Sequence, residues 1–356
     1  MIPQGFYKNG AFISEFEDRI TDSSNLYYQV AEDLFVKDGI KEKILDITPN
    51  SVNLDFDSFN VKTKENLYLV KLSFDEDSFF LKNESEFLKN NKHPMLPKYV
   101  SSGVFKMGEN LRYLIYEYDV GLDLADVGRC FVYEKRINLL NCLKILRDFK
   151  SHISFSDYSE FIFDHFDISK SLPDIVDSNI YPVHQKEKIE NIFSKIKEYF
   201  YSSLDLNSLN GDGFCNGNLN EGNITTNGHI FKFNDFHCSF KGNPFLDVCF
   251  MSLNLSYNQL MFNNLMKDFC EVNELSYEES KDNLRDCLSA ACCILLYKKL
   301  AEFLVEQCVY ENSREDKVVS ILFLFDNAQW CFKKLPFYES IKEDFKEIYE
   351  SPTRIL

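Results

Sequence analysis

Apolar residues recur along this chain with two different periods, and the change between them divides it. From Lys43 to Tyr118 the spacing is mostly that of strands. Lys43–Ile47, Phe56–Thr63 and Asn66–Leu72 read as three strands, the third alternating in apolar character, with Lys64-Glu65-Asn66 as a turn between the last two. Tyr99–Phe105 and Leu111–Tyr118 form a second antiparallel pair around Met107-Gly108-Glu109-Asn110. Two helical patterns flank or interrupt this block. Ser24–Val36 puts Leu26, Val30, Leu34 and Phe35 on one face and closes at Asp38-Gly39, and Phe79–Asn90 carries Glu84. From about residue 122 the period is helical. Helices are expected over Tyr133–Ser151, Lys186–Leu204, Leu253–Val272, Tyr277–Val309, Lys317–Phe332 and Ile341–Tyr349, with Ser276 and Ser313 as caps. Ser154–Ser178 is rich in Asp and Phe and suggests a partly irregular insertion, and residues 1–22 have no clear periodicity.

One stretch breaks the helical part. Phe214–Asp247 begins as a polar loop with Asn216, Asn218 and Asn223, runs through the alternating Ile230-Phe231-Lys232-Phe233, and reaches Asp235 just beyond that strand. A Gly-Asn-Pro turn then leads into a helix carrying Asp247. An acidic residue at a strand end after a polar loop suits a metal-phosphate site. The layout predicts an α+β protein of two lobes with a cleft between them: residues 1–40 an N-terminal extension and helix, 41–120 a small β-rich lobe, 121–356 a larger, mostly helical lobe.

Composition adds limits. The 356 residues suffice for two lobes, and 34 Phe with 19 Tyr supply much of the core. A net charge of −17 disfavours nucleic acid and anionic membranes as partners. It suits a cationic small-molecule acceptor such as an aminoglycoside or choline, although solubility alone is the simpler account of it. The 11 Cys include no CxxC pair and no zinc spacing, which fits reduced thiols in a cytoplasmic protein. No basic-then-apolar leader and no membrane-length apolar run is present, so the expectation is a soluble intracellular chain.

The polar loop, the strand end at Asp235 and the Gly-Asn-Pro turn together resemble a known family, the aminoglycoside phosphotransferase and choline kinase-like group of the protein-kinase-like fold. The family pattern is roughly His-Gly-Asp-Leu-His-x-Gly-Asn-Ile, then Ile-Asp-Trp or Ile-Asp-Phe after a strand, then Gly-Asp-Pro-x-x-Asp-Leu. This chain has Asn216-Gly217-Asn218-Leu219-Asn220-Glu221-Gly222-Asn223-Ile224, then Phe233-Asn234-Asp235-Phe236, then Gly242-Asn243-Pro244-Phe245-Leu246-Asp247-Val248. The resemblance runs from about residue 43 to 332.

It implies roles residue by residue. Asp235 and Asn223 would hold Mg²⁺, and Lys71 and Glu84 would form the ion pair that positions the phosphates of ATP or another nucleoside triphosphate. Glu117 and Tyr118 would lie in the linker facing the adenine. Asp247 would tie the helix it begins to the catalytic loop. The chain departs from the family at two catalytic positions. Asn218 stands where the base Asp is expected, and Asn216 where the bracing His is expected. An amide orients a hydroxyl but does not accept its proton. The phosphate-covering loop, placed at Thr48-Pro49-Asn50-Ser51-Val52-Asn53, has no glycine. Glu221 and His237 are weaker candidates to stand in for the base, and His237 and Cys215 fit packing roles better. The implied function is a nucleotide- and Mg²⁺-binding protein with weak or lost phosphoryl transfer, a pseudokinase. The alternative is an active ATP-dependent kinase acting on a hydroxyl of an amino sugar or amino alcohol.

Overall fold

The computed structural model describes residues 27–52, 56–73, 75–107, 109–117, 122–123, 133–167, 185–226, 231–255, 257–306 and 329–350. The chain divides into two compact units. One takes the described residues of Ile2–Asp126 with Asn223–Cys238, and the other those of Val127–Gly222 with Ser239–Leu356.

The first unit is built on a five-stranded antiparallel sheet. Its strands are β1 (Ile44–Val52), β2 (Asp57–Thr63), β3 (Leu67–Ser73), β4 (Lys98–Met107) and β5 (Glu109–Glu117), in the order β1-β2-β3-β5-β4. Alternation along β3 sends Tyr68, Val70 and Leu72 to one face, where they join Val30, Leu34 and Phe35 of helix α1 (27–37) in an apolar cluster. The amide of Ile40 returns to the carbonyl of Phe35, and Gly39 turns the chain at φ +69°. The same alternation sends Leu69, Lys71 and Ser73 to the opposite face. Helix α2 (Phe79–Asn90) starts at Ser78, whose hydroxyl accepts from the Leu81 amide, and it buries Phe80, Glu84 and Phe87. A small three-stranded sheet completes the unit: β6 (Leu122–Asp123), β8 (Ile224–Thr226) and β9 (Phe231–Phe233), in the order β6-β8-β9.

The region expected as a glycine-free loop is largely strand. Residues 48–52 continue β1 and pair with β2 down to Val52 opposite Asp57. Pro49 is tolerated because β1 is an edge strand, where a missing N–H breaks no second ladder. Residues 53–55 lie outside the description, as does Tyr118.

The second unit is helical around one short ladder, β7 (Gly213–Cys215) with β10 (Phe240–Gly242). Its helices are α3 (Tyr133–Leu146), α4 (Phe155–His165), α5 (Lys186–Ser203), α6 (Leu206–Leu209), α7 (Phe245–Asn254), α8 (Gln259–Val272), α9 (Lys281–Glu306), α10 (Gln329–Phe332) and α11 (Tyr338–Glu350). The expected insertion at 154–178 begins instead as the regular helix α4. Ser154 accepts from the Asp157 amide as its cap, and Phe155, Tyr158, Ile162 and Phe163 bury one face. The helix expected over Leu253–Val272 starts later, at Gln259, where Asn258 accepts from the Met261 amide and begins α8; Leu253 and Asn254 end α7, the helix expected after the Gly-Asn-Pro turn. No described helix is long and apolar enough to cross a membrane. The expected cap Ser313 and most of Lys317–Phe332 lie outside the description.

Candidate functional site

Lys71, Glu84, Asn223 and Asp235 come together within the first unit. Lys71 sits mid-strand on β3 with its ammonium 2.7 Å from Glu84 Oε2 and 2.6 Å from Asp235 Oδ1. Glu84 is fully buried, and its other oxygen accepts from the Phe236 amide at 3.1 Å. Asp235 Oδ2 accepts from Asn223 Nδ2 at 3.1 Å. The backbone of Asp235 is left-handed at φ +63°, a conformation few non-glycine residues hold without a compensating contact. Here the carboxylate bonds to Lys71, Asn223 and His237 supply it.

Burial alone would depress the Lys71 ammonium. The carboxylates of Asp235 and Glu84 outweigh that and hold its pKa well above the ordinary lysine value. Burial would raise Asp235, but the positive charges of His237 and Lys71 hold it well below the usual carboxylate range. His237 is buried, its Nδ1 2.5 Å from Asp235 Oδ1. Burial works against its charged form, yet Asp235 pushes its pKa up to about 10. Two cations and two carboxylates therefore balance in one buried network. Asn83 Nδ2 donates to the His237 carbonyl at 3.0 Å, and Phe87 stacks on Phe236 with centroids 4.4 Å apart. Helix α2 is thus fastened to the segment after β9 by charge, amide and ring contacts.

The donor set suits a hard divalent cation. Glu84, Asp235 and His237 form a cluster of potential ligand atoms within 4.8 Å of one another. His237 is protonated, so it competes for Asp235 as a cation. The Asp235 carboxylate and the Asn223 amide oxygen are the oxygen donors that Mg²⁺ takes. A half-turn of the Asn223 amide presents that oxygen.

Asn216, Asn218 and Asp247 meet in the second unit. Both Asp247 carboxylate oxygens accept backbone amides, from Asn216 at 2.7 Å and Gly217 at 2.9 Å. Gly217 has φ +74°, which glycine permits cheaply. Asn216 Oδ1 accepts from the Asn218 amide at 3.0 Å. Asn216 is fully buried, and its Nδ2 has no hydrogen-bond partner among the described residues. Asn218 is half-buried and lines a cavity of about 350 Å³. Cys215 is buried with its thiol raised by burial, which makes it an inert packing group.

Burial raises Asp247 to about 6, against the lowering effect of the two amide bonds and of Arg147. A carboxyl raised in the fold binds its proton more tightly folded than unfolded. Its contribution to stability is therefore full below about pH 4 and is lost as pH rises through 6. Relative to Asp247→Asn, wild type should gain about 1 kcal/mol between pH 7.5 and pH 5, measured by urea unfolding at each pH. A stability difference that stays flat, or moves the other way, rules out a raised Asp247.

The remaining expected residues stand apart. Glu117 gives both carboxylate oxygens to Lys98, at 2.7 and 2.9 Å. The side chain of Glu221 is not described. Sequence reasoning missed the ionic bond of His237 to Asp235 and the lysines that line the cavity beside Asn218. No short-range signal marks either.

No protein-family model and no curated protein matches the chain at the level of sequence. Solved structures do match. A choline kinase from Cryptosporidium parvum Iowa II superposes with TM-score 0.56 at 13% identity, over 88% of this chain and 99% of that one. Choline kinase LicA from Streptococcus pneumoniae gives 0.51 at 14%, over 84% and 99%. Spectinomycin phosphotransferase APH(9)-Ia, solved with ADP and spectinomycin, gives 0.51 at 12%, over 84% and 93%. A β-sheet N-terminal region, a helical C-terminal region and these superpositions together identify the protein-kinase-like fold of aminoglycoside phosphotransferases and choline kinases.

Proposed function

We propose that this chain binds a nucleoside triphosphate with Mg²⁺ and transfers its phosphoryl group slowly or not at all. The observation that carries this is the buried Lys71–Glu84–Asp235 arrangement, kept intact in a chain with Asn218 at the base position. Structural relatives solved with ADP or AMP-PNP support the nucleotide.

In this reading the Lys71 ammonium, oriented by Glu84, faces phosphate oxygens. Asp235 and Asn223 hold Mg²⁺, which supplies positive charge to the phosphates. The backbone near Glu117 serves the adenine. Asp247 fixes the loop through the Asn216 and Gly217 amides and so sets where Asn218 points. Asn218 orients an acceptor hydroxyl or water without taking its proton. Loss of the base leaves positioning and charge stabilisation in place, so a low residual transfer is compatible with the site.

A second reading, an active small-molecule kinase, is favoured by the cavity that Asn218 lines, which is of a size to hold an acceptor.

Calorimetric titration with Mg-AMP-PNP tests the binding half. Asp235→Asn should weaken binding at least tenfold with Mg²⁺ and far less in EDTA, because the carboxylate acts through the cation. Equal losses in both conditions would mean that Asp235 acts only structurally.

A further inference from the structure

Phe56 stands immediately before β2, at the foot of the hairpin whose strands last pair at Val52 and Asp57. Its side chain does not turn outward from that position. Phe56 is buried, with 5% of its surface exposed. The Lys71 ammonium lies over its ring, 4.7 Å from the centroid. The His237 ring meets it edge to face, with centroids 5.3 Å apart at 72°. Helix α2 brings Phe80 to the same imidazole, at 5.3 Å and 77°. All of these residues belong to the first unit. Two of the ring contacts of Phe56 therefore go to the two cations of the candidate site.

The consequence falls on Lys71. Its ammonium already bonds to Glu84 and Asp235, and only 4% of the side chain is exposed. The ring of Phe56 adds to that enclosure, and the negative face of the ring attracts an ammonium that has lost its water. An ammonium that water hardly touches is closed to a phosphate group, which is bulkier. Asp235 is different. Its side chain keeps 21% of its surface exposed, so the carboxylate remains open to a cation. The site is thus shut on the side where Lys71 would receive a phosphate, and less so where Asp235 would receive a metal ion.

We infer that Phe56 is a cover over Lys71, which must move aside before a phosphate can reach the ammonium, so that the chain holds its own nucleotide site closed. The inference rests on reading Lys71 as the residue that faces the phosphates. In the closed state Lys71 is held by Glu84, Asp235 and the Phe56 ring. In the open state a phosphate takes the place of the ring, and Glu84 keeps hold of the ammonium. A ligand that binds only the open state has its apparent affinity reduced by the fraction of molecules that are open. A cover and an ordinary core residue therefore differ in sign. Cutting back a core phenylalanine loosens the site and weakens binding, whereas cutting back a cover strengthens it.

The test is calorimetric titration of the full chain as wild type, Phe56→Ala and Phe56→Leu, with two probes: Mg-AMP-PNP and Mg-tripolyphosphate. Phe56→Ala should bind both probes roughly tenfold more tightly than wild type. Phe56→Leu keeps apolar bulk without the ring face, and its affinities should fall between the other two. Urea unfolding identifies which variants are folded. If Phe56→Ala is not, Phe56→Leu decides the question alone. AMP-PNP affinity that is unchanged or weaker in a folded variant would overturn the inference and leave the nucleotide reading in place. Tighter tripolyphosphate binding by the variants, in a chain that ignores AMP-PNP, would uphold the cover over Lys71 and sink the nucleotide reading. Failure of all folded proteins to bind either probe at millimolar concentration would sink both.

Discussion

Lys71→Met is expected to destabilise the protein by about 3–5 kcal/mol and to remove Mg-nucleotide binding. Methionine keeps the length of the stem and its packing against Phe56, whose ring lies 4.7 Å from the ammonium. What is lost is the charge between two carboxylates. Asp235 would still have His237 and Asn223. Glu84 is buried completely and would be left with the Phe236 amide as its described hydrogen-bond donor. An uncompensated carboxylate in that position is the costly outcome. A buried ion pair replaced on both sides by neutral groups costs far less than one broken on one side. Lys71→Met with Glu84→Gln should therefore recover much of the stability while leaving nucleotide binding lost. Urea unfolding of the two single variants and the double variant closes the cycle. Additive losses would show that the two side chains are not coupled.

Asn218→Asp is expected to raise phosphoryl transfer, to an acceptor or to water, by about 10²–10⁴-fold. The substitution is nearly isosteric, and the position is half-buried, so the new carboxylate keeps access to water. Its backbone is already held by the Asn216 side chain, and the loop by Asp247. Nothing in the loop needs to be rebuilt for a base to act. The AMP-PNP affinity should change little, since Asn218 has no role in holding the nucleotide in this account. A variant that binds nucleotide as before and shows no gain in turnover would mean that the missing base is not what limits transfer. Restoring histidine at Asn216 together with aspartate at Asn218 would then ask whether the bracing residue matters more.

Much of this was legible because local signals agreed with each other. Helix α2 matches its expected bounds, since Ser78 caps it and its apolar spacing is clean. Lys71 could be placed on β3 from the alternation along Leu67–Ser73, and its pairing with Glu84 from the resemblance; that both faces of β3 are buried is visible only in the structure. Asn223 and Asp235 carried their spacing in the sequence. The misses have physical causes. Pro49 suggested a loop, and only the edge position of β1 makes it a strand residue. The break before α8 depends on Asn258 acting as a cap, in a chain where asparagine is too common to mark one. Helix α4 was hidden by composition, its Asp and Phe content outweighing a cap and an apolar face that were both present. The charge on His237 depends on a partner two residues away whose side chain meets it only because Asp235 adopts a left-handed backbone. The lysines of the cavity lie some eighty positions beyond Asn218, and only the packing of α9 brings them to the same cavity.

The central claim is a kept nucleotide site with a lost base, and one measurement addresses both parts. Wild-type protein is brought to equilibrium dialysis against a limiting amount of α-labelled ATP with Mg²⁺, and the nucleotide on the protein side is then separated by chromatography. The account predicts excess nucleotide on the protein side, abolished by EDTA, with the bound fraction still ATP after hours. Even distribution of label across the membrane would contradict the kept site, and conversion of the bound fraction to ADP within minutes would contradict the lost base.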